Sequence, residues 1–205
     1  MNFIVPEFSE LVFTEKNHEY KLEDRIIPSV SKIMEPLSQS YYGSLDRDVL
    51  NRAAERGTAI HNAIENYIKY GIEDIPSEYG GYFDAFKLWL DEKKPQILGT
   101  ECRVYHKTLR YAGTCDMPCV IDGKIVCVDF KSSATINTVL TGVQLEAYSK
   151  AYKSHGFEFD EKAIVHLKKV GKYTHKTYQK NDNESWNVFG ALITVNNHLS
   201  KYGRN

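Results

Sequence analysis

Two apolar runs joined by Asp122-Gly123 constrain the fold of this chain more than any other feature. A dipeptide of this kind between β-branched and apolar residues is typical of a two-residue hairpin turn. With these residues as the loop, Ile121 pairs with Lys124, and the same register places Asp116 opposite Asp129. Like charges directly across a sheet repel each other, and the surrounding strands are apolar. A divalent cation between the two carboxylates would remove that conflict, so the hairpin predicts a metal site.

Lys131 extends this pattern, because side chains alternate along a strand and Lys131 therefore shares a face with Asp129. Two carboxylates and an ammonium group on one face are typical of a hydrolytic site that uses a hard metal. Pro118 argues against the register, since proline cannot donate to a ladder and a one-residue bulge would move Asp116 off that face. A solvated outer face with ordinary charges is an equal alternative on this pattern alone.

The composition is that of a soluble globular protein. The 205 residues are 42% hydrophobic and 26% charged, which suits one domain with its own core. No apolar run approaches the roughly 20 residues that span a bilayer. The first ten residues lack the basic and apolar segments of a secretory signal. We therefore expect a cytoplasmic protein without a membrane partner.

Hydrophobic periodicity and turn residues predict an α/β fold. Short strands open the chain, Ser29 caps a short helix, and later helices end at Gly71 and before Pro95. The predicted strands are 11–13, 20–22, 101–106, 111–121, 124–131, 163–169 and 173–179, and the longer helices are 44–70, 78–94, 136–154 and 185–201. This order indicates a central mixed β-sheet flanked by helices.

Two helical i, i+4 pairs carry further polar groups. His61 and Glu65 share a helix face at the edge of its buried side, and imidazole is a common metal ligand. Gln144 and Tyr148 share a face of the helix that follows the lysine-bearing strand. Each pair taken singly also fits an ordinary core or surface role.

Lysines are concentrated near the end of the chain, although the net charge is only −1. The segment 162–180 contains no acidic residue and carries Lys162, Lys168, Lys169, Lys172, Lys176 and Lys180. Tyr173 and Tyr178 lie among these lysines. The segment predicts a contact to nucleic-acid phosphates, with the tyrosines stacking on unpaired bases. A solvated hairpin kept soluble by lysine is an equal alternative.

The cysteines of the chain all lie in predicted strands: Cys102, Cys115, Cys119 and Cys127. Their spacing fits neither paired zinc knuckles nor a zinc ribbon. We expect buried, reduced thiols, since disulfides are rare in a cytoplasm.

Several short motifs follow one another along the chain, and their order is informative. They are Gly57-Thr58-Ala59-Ile60-His61 on a helix, Gly113-Thr114-Cys115-Asp116 on a strand, Asp129-Phe130-Lys131 on the next strand, and Gln144 with Tyr148 on a helix. In this order they resemble the PD-(D/E)xK nuclease superfamily, specifically its RecB-like exonuclease branch with phage and mitochondrial members. The segment Ile27-Pro28-Ser29-Val30 is similar to the start of a helix in the phage-type members.

The resemblance covers about residues 26–152 and implies a restriction-endonuclease-like core. We expect a single nuclease domain over residues 1–205, with the motif-bearing core at about 26–180 and a closing helix at about 185–201. The implied metal ligands are His61, Asp116, Asp129 and the backbone carbonyl of Phe130, with Mg²⁺ or Mn²⁺ as the cation. The implied catalytic residues are Asp116, Asp129, Lys131, Gln144 and Tyr148.

The resemblance also suggests roles around this centre. Glu65 and Glu101 are candidates for outer-shell or second-metal roles. The nucleic-acid-binding candidates are Lys168, Lys169, Lys172, Tyr173, Lys176 and Tyr178. Relatives with an iron–sulfur cluster carry a group of cysteines after the nuclease core; because none follows Cys127, we expect no cluster.

The function implied is a metal-dependent DNA exonuclease of phage or prophage recombination, in the cytoplasm of a bacterial host cell. Its partners would be single- or double-stranded DNA ends and a single-strand annealing or other recombination protein. One alternative is a nucleic-acid-binding module that kept the fold and lost catalysis. Another is an α/β domain in which the aspartate pair only holds a metal that staples the hairpin.

Overall fold

A five-stranded mixed sheet forms the centre of the computed structural model, which describes residues 4–203. In spatial order its strands are β10 (Lys172–Tyr178), β9 (Glu161–Lys168), β8 (Lys124–Lys131), β7 (Met117–Ile121) and β4 (Gln96–Ile97). The β8–β9 pair is parallel, and the other neighbours are antiparallel. The predicted α/β class with a central mixed sheet is confirmed.

Five helices cover the two faces of this sheet within the described residues. They are α1 (Val30–Tyr42), α2 (Arg47–Tyr70), α3 (Gly80–Lys93), α4 (Thr138–Lys153) and α5 (Asn183–Tyr202). Helices α2 and α3 share one hydrophobic core with Val128 and Phe130 of β8. Helices α1, α4 and α5 share the other with Cys127 of the same strand. Alternation along β8 thus separates the two cores.

Two smaller sheets complete the fold. One contains β1 (Leu11–Thr14), β2 (Glu19–Leu22) and β3 (Arg25–Ile27), and the other contains β5 (Cys102–Tyr105) and β6 (Ala112–Cys115). The first two strands agree with the sequence prediction, whereas β3 and β4 were not predicted. The small sheets touch each other where the Tyr20 hydroxyl lies 2.7 Å from the Thr114 hydroxyl.

The predicted hairpin register is confirmed. Ile121 pairs with Lys124, and the ladder continues to Met117 and Val128. Pro118 stays in register opposite Cys127, so no bulge displaces the strand. This follows from the two-residue turn, in which both Asp122 and Gly123 have positive φ.

The single strand predicted over residues 111–121 is wrong. The chain bends at Asp116, so β6 pairs with β5 while β7 joins the central sheet. The bend is held because the Asp116 carboxylate accepts the Phe130 N–H at 2.7 Å and its carbonyl accepts the Glu101 N–H at 2.8 Å. Asp116 therefore lies at the junction of two sheets.

Side-chain caps set the helix boundaries near the site. Ser29 caps α1 by accepting the Lys32 N–H, as predicted. Helix α2 begins later than predicted because Asp46 caps it, and it ends at Gly71 with a φ of 68°. Asn137 caps α4 and accepts two backbone N–H groups. Over residues 4–203, the structure contains no helix with the length and hydrophobicity needed to cross a bilayer.

Candidate active site

The predicted polar residues converge on one cavity of about 520 Å³, called here the central pocket. Its wall includes His61, Glu65, Glu101, Asp116, Asp129, Lys131, Gln144 and Tyr148. Helix α2, the residue before β5, the β6–β7 junction, β8 and α4 supply these groups. The fold therefore brings together residues that are up to 87 positions apart in the chain, from His61 to Tyr148.

An imidazole–carboxylate cluster forms one side of the pocket. The Nδ1 atom of His61 lies 3.1 Å from Oε1 of Glu101, and its Nε2 atom lies 3.7 Å from Oδ2 of Asp116. The same Nε2 atom lies 3.2 Å from the carbonyl oxygen of Phe130. One ligand atom from each of His61, Glu101 and Asp116 lies within 4.8 Å of the others, a spacing suited to a shared cation.

A hydrogen-bonded chain forms the other side. The Lys131 ammonium lies 2.8 Å from Oδ2 of Asp129 and donates to Oε1 of Gln144 at 3.1 Å. The Gln144 amide in turn donates to the Tyr148 hydroxyl at 2.8 Å. This chain holds the lysine in place from α4, because Gln144 and Tyr148 are one turn apart on that helix.

Gly113 has a steric role in this arrangement. A Cβ at Gly113 would lie 2.4 Å from Cε1 of Tyr148 and 3.2 Å from Cγ2 of Val30. No side chain can be accommodated at that distance without moving the tyrosine ring. The glycine of the Gly113-to-Asp116 motif therefore allows α4 to approach the sheet closely enough for Gln144 to accept the hydrogen bond from Lys131 of β8.

Burial and neighbouring charges shift the pKa values of the pocket residues. Burial, together with Asp129, raises the pKa of Asp116 to about 8. Burial lowers the pKa of His61, but Asp116 and Glu101 outweigh it and raise that pKa to about 9. Burial also opposes the charge of Lys131, yet Asp129 and Asp116 raise its pKa. The carboxylates of the pocket thus lie close enough to oppose one another's ionisation and to favour the protonated forms of His61 and Lys131.

The pocket residues fit a hard divalent cation. Oδ2 of Asp129 is buried and accepts no hydrogen bond, although the Lys131 ammonium is close to it. Carboxylate oxygens, a backbone carbonyl and one imidazole form a donor set that Mg²⁺ and Mn²⁺ accept. A cation beside this buried carboxylate oxygen would add to the charge compensation that the Lys131 ammonium provides at 2.8 Å.

The two additional glutamates differ in position. Glu101 belongs to the cluster of three residues suited to a cation, and it adopts a positive φ of 50°, a backbone conformation that costs energy in a non-glycine residue. Glu65 lines the same pocket, but its carboxylate pairs with Lys69 one turn along α2.

The lysine-rich segment forms the β9–β10 hairpin, and alternation divides its side chains between the two faces. Lys168, Lys172, Lys176 and Tyr178 lie on the face of Asp129, since Lys176 pairs with Ile164 and Ile164 pairs with Asp129. The Tyr178 hydroxyl reaches Thr141 of α4 at 2.6 Å. Lys169 lies in the turn. Tyr173 points to the opposite face, where its hydroxyl donates to Glu92 of α3.

Lys162 does not belong to this basic surface, which corrects the expectation from the lysine count. Its side chain is 1% exposed and forms an ion pair with Glu146, which is fully buried in α4. Lys150 approaches the other oxygen of Glu146 at 3.2 Å. Lys180 also pairs with acids, Glu158 and Asp160.

Some residues of the pocket wall were missed by the sequence analysis. The N-terminal sheet contributes Phe13, His18 and Tyr20, and β5 contributes Arg103. Their place depends on contacts between distant segments, such as Tyr20 with Thr114, which no local pattern reveals. Gly57, the first residue of the Gly57-to-His61 motif, also lines the pocket, although the sequence analysis gave it no role of its own.

The fold and the pocket define an α/β protein with a histidine–carboxylate–lysine centre. No family model matches the sequence, and no curated protein does. Similar solved structures include an alkaline exonuclease, LHK-Exo, from Laribacter hongkongensis, with 12% identity, a TM-score of 0.44 and coverage of 82% of this chain and 84% of that one.

Two further structures are similar. The complex of LHK-Exo with dAMP has 16% identity and a TM-score of 0.40, covering 82% of this chain and 85% of that chain. The protein designated SSO0001 has 10% identity and a TM-score of 0.37, and the match covers 81% of this chain and 82% of that chain. The geometry of the central pocket, rather than these similarities, points to a function.

Proposed function

We propose that the protein is a metal-dependent DNA exonuclease. The observation that carries the proposal is the convergence of the His61–Glu101–Asp116 cluster and the Asp129–Lys131 pair in one pocket. Phosphodiester hydrolysis requires a positioned water and stabilisation of negative charge on the phosphate. A pocket with clustered carboxylates, one imidazole and one ammonium group meets both requirements.

Each residue has a distinct part in this proposal. His61, Asp116, Asp129 and the Phe130 carbonyl would hold Mg²⁺ or Mn²⁺, with Glu101 beside them. Such a cation supplies Lewis-acid stabilisation of the charge that builds on the scissile phosphate. Lys131 keeps its proton, because Asp129 and Asp116 raise its pKa, and so contributes a positive charge next to the phosphate. Gln144 and Tyr148 position that ammonium group.

The DNA strand would leave the pocket along the β9–β10 hairpin. Lys168, Lys172 and Lys176 share the face of Asp129 and suit contacts to backbone phosphates. Tyr178 is fixed by its hydrogen bond to Thr141, so its ring presents a fixed surface near the pocket. These contacts carry no base-reading pattern, which favours cleavage independent of sequence.

The proposed setting is phage or prophage recombination in the cytoplasm of a bacterial host, with a single-strand annealing protein as partner. It extends the motif resemblance to the phage-type members of the branch. Co-purification of the chain with an annealing protein encoded beside it would test that partnership.

Cleavage of end-labelled and circular DNA tests the proposed activity. We expect the purified protein to degrade linear DNA with Mg²⁺ or Mn²⁺, to spare circles, and to stop in EDTA. Asp129→Asn should lower the rate by several orders of magnitude, since it removes one proposed ligand and the partner of Lys131. Asp122→Asn is the matched control, because asparagine suits the same hairpin turn. Normal digestion by the Asp129→Asn protein would refute the mechanism, and cleavage of circles would refute the exonuclease assignment.

A further inference from the structure

One position in the wall of the central pocket is a glycine that the protein's own packing does not require. Gly57 lies in the interior of α2 and lines the pocket. A Cβ at this position would meet no atom within 4 Å. Glycine destabilises a helix interior relative to alanine, and here no neighbouring group compensates for it. The bare helix leaves room for a ligand to approach the α2 backbone from the pocket.

The position of Gly57 relative to the site is fixed by the helix. His61 is four residues further along α2, so both lie on one face, about one helical turn of 5.4 Å apart. A ligand that reaches His61 from this direction therefore passes over Gly57. A side chain at position 57 would project into that path.

A second position is an arginine with no acidic partner. The Arg103 guanidinium lies over the Phe13 ring, 5.0 Å from its centroid, and both residues line the central pocket. Arg110 pairs with Glu23 at 3.1 Å, whereas Arg103 forms no ion pair with the described residues 4–203. The aromatic ring holds the guanidinium in place and leaves its donors available.

Arg103 is also close in the fold to the cation-binding cluster. It pairs with Thr114 in the β5–β6 ladder, and Thr114 precedes Asp116 by two residues in the chain. Arg103, Thr114 and Asp116 all line the central pocket. An available guanidinium beside a phosphate-hydrolysing centre is suited to bind a second phosphate of the same strand.

We propose that Gly57 and Arg103 form a strand-binding subsite beside the cation site, and that its ligand is an unpaired DNA strand. The sugar–phosphate backbone packs on the bare α2 surface at Gly57, and Arg103 binds a phosphate next to the scissile one. This inference rests on the proposed nuclease function and names its substrate class. A cavity of about 520 Å³ is of the size that holds one small-molecule ligand, which matches a short stretch of one strand better than base-paired DNA.

Binding of fluorescein-labelled oligo(dT) in EDTA, measured by anisotropy, tests the subsite without cleavage. We expect Gly57→Leu and Arg103→Gln each to weaken binding about tenfold. Arg103→Gln should also reduce the slope of log affinity against log salt by about 0.7, the value for one lost phosphate contact on a single strand. Gly57→Leu should leave that slope unchanged, because it adds bulk and removes no charge.

Glycine 190 provides the matched control. Gly190 lies inside α5, away from the central pocket, and a Cβ there also meets no atom within 4 Å. Gly57→Ala and Gly190→Ala should both raise the Tm, by about 2–4 °C for a gain of this kind in a chain of this size. Gly190→Leu should bind oligo(dT) like the unmodified protein. A loss of binding in Gly57→Leu then reflects the pocket and not unfolding.

The results that would overturn the subsite are specific. They are unchanged oligo(dT) affinity in Gly57→Leu, an equal loss in Gly190→Leu, or an unchanged salt slope in Arg103→Gln. A blunt duplex that binds as tightly as oligo(dT), with the same sensitivity to both substitutions, would overturn the single-strand assignment. A separate result, the absence of cleavage by the unmodified protein in Mg²⁺ and Mn²⁺, would show that the proposed nuclease function itself is wrong.

Discussion

At the scale of one residue, Gly113 influences the position of Lys131 although it carries no side chain. Its missing side chain lets the Tyr148 ring lie against β6, and Tyr148 then accepts the hydrogen bond from Gln144 that in turn orients Lys131. The glycine contacts no reacting group in the proposed mechanism. It acts on the lysine through two intervening side chains.

Substitution of Gly113 by alanine should therefore affect both stability and activity. The added methyl group would lie 2.4 Å from Tyr148, and overpacking of this kind costs about 1–3 kcal/mol. We expect that loss in urea unfolding, together with a large fall in DNA cleavage. Gly80→Ala is the control, since a Cβ at that position meets nothing within 4 Å.

A double-mutant cycle with Tyr148→Ala separates the steric effect from a general weakening of β6. Removing the ring makes room for the methyl group, so the stability cost of Gly113→Ala should largely disappear in the Tyr148→Ala background. Additive costs in the double variant would show that the tyrosine contact is not the cause.

Individual residues also show what sequence reasoning can reach. Asp129 and Lys131 could be placed on one face because the two-residue turn determines the β7–β8 register as far as Met117 and Val128. The predicted pairing of Asp116 with Asp129 is not part of this ladder, since the chain bends at Asp116. The position of Glu101 in the cation cluster could not be predicted, because it depends on the bend at Asp116 and on a left-handed backbone conformation. Local patterns carry no information about either.

At the scale of elements, helix α4 is tied to the central sheet by a buried ion pair. Glu146 of α4 is fully buried and pairs with Lys162 of β9, which is 1% exposed. Glu146 lies between Gln144 and Tyr148 in the chain, so the same helix turn carries the tether and the groups that position Lys131. The ion pair therefore fixes the position of Gln144 and Tyr148 relative to the central sheet.

Lys162→Met should destabilise the fold strongly, because it leaves a buried carboxylate with only Lys150 nearby. Breaking a buried pair costs about 3–5 kcal/mol, and we expect a loss near the lower figure in urea unfolding. Lys124→Met, which removes an exposed pair with Glu161, should cost less than about 1 kcal/mol.

Removal of both Glu146 and Lys162 distinguishes the effect of an unpaired charge from that of lost packing. A Glu146→Leu/Lys162→Met protein contains no unpaired carboxylate at this place and should recover most of the lost stability. If the double variant were as unstable as Lys162→Met alone, packing of the lysine stem and not the unpaired charge would explain the loss.

The same elements show where sequence reasoning failed. A count of lysines placed Lys162 on a DNA-binding surface, but burial depends on which face of β9 meets α4, and charge alone does not reveal that. The strand predicted over residues 111–121 is mostly apolar, yet it divides between two sheets because β5 pairs with β6. Helix starts shifted by a few residues where a capping side chain determined them, as at Asp46.

At the scale of the whole molecule, the pocket lies where three sheets and the helices α1, α2 and α4 meet. The N-terminal sheet provides Phe13 and Tyr20, and the two-stranded sheet provides Arg103. The central sheet provides Asp129 and Lys131, which lie between α2 and α4. The order of the predicted strands and helices indicated the central sheet and the helices that cover it. Strands β1 and β2 of the N-terminal sheet were also predicted, but their place at the pocket was not, because it depends on a contact that spans 94 residues, from Tyr20 to Thr114.

The central claim is that His61, Asp116 and their neighbours hold a divalent cation, and calorimetric titration with Mn²⁺ tests it most directly. We predict saturable binding by the unmodified protein and by Asp122→Asn, with affinity lower by at least about tenfold in His61→Ala and in Asp116→Asn. No heat of binding at millimolar Mn²⁺, or equal affinity in a His61→Ala/Asp116→Asn protein that is still folded, would contradict the account.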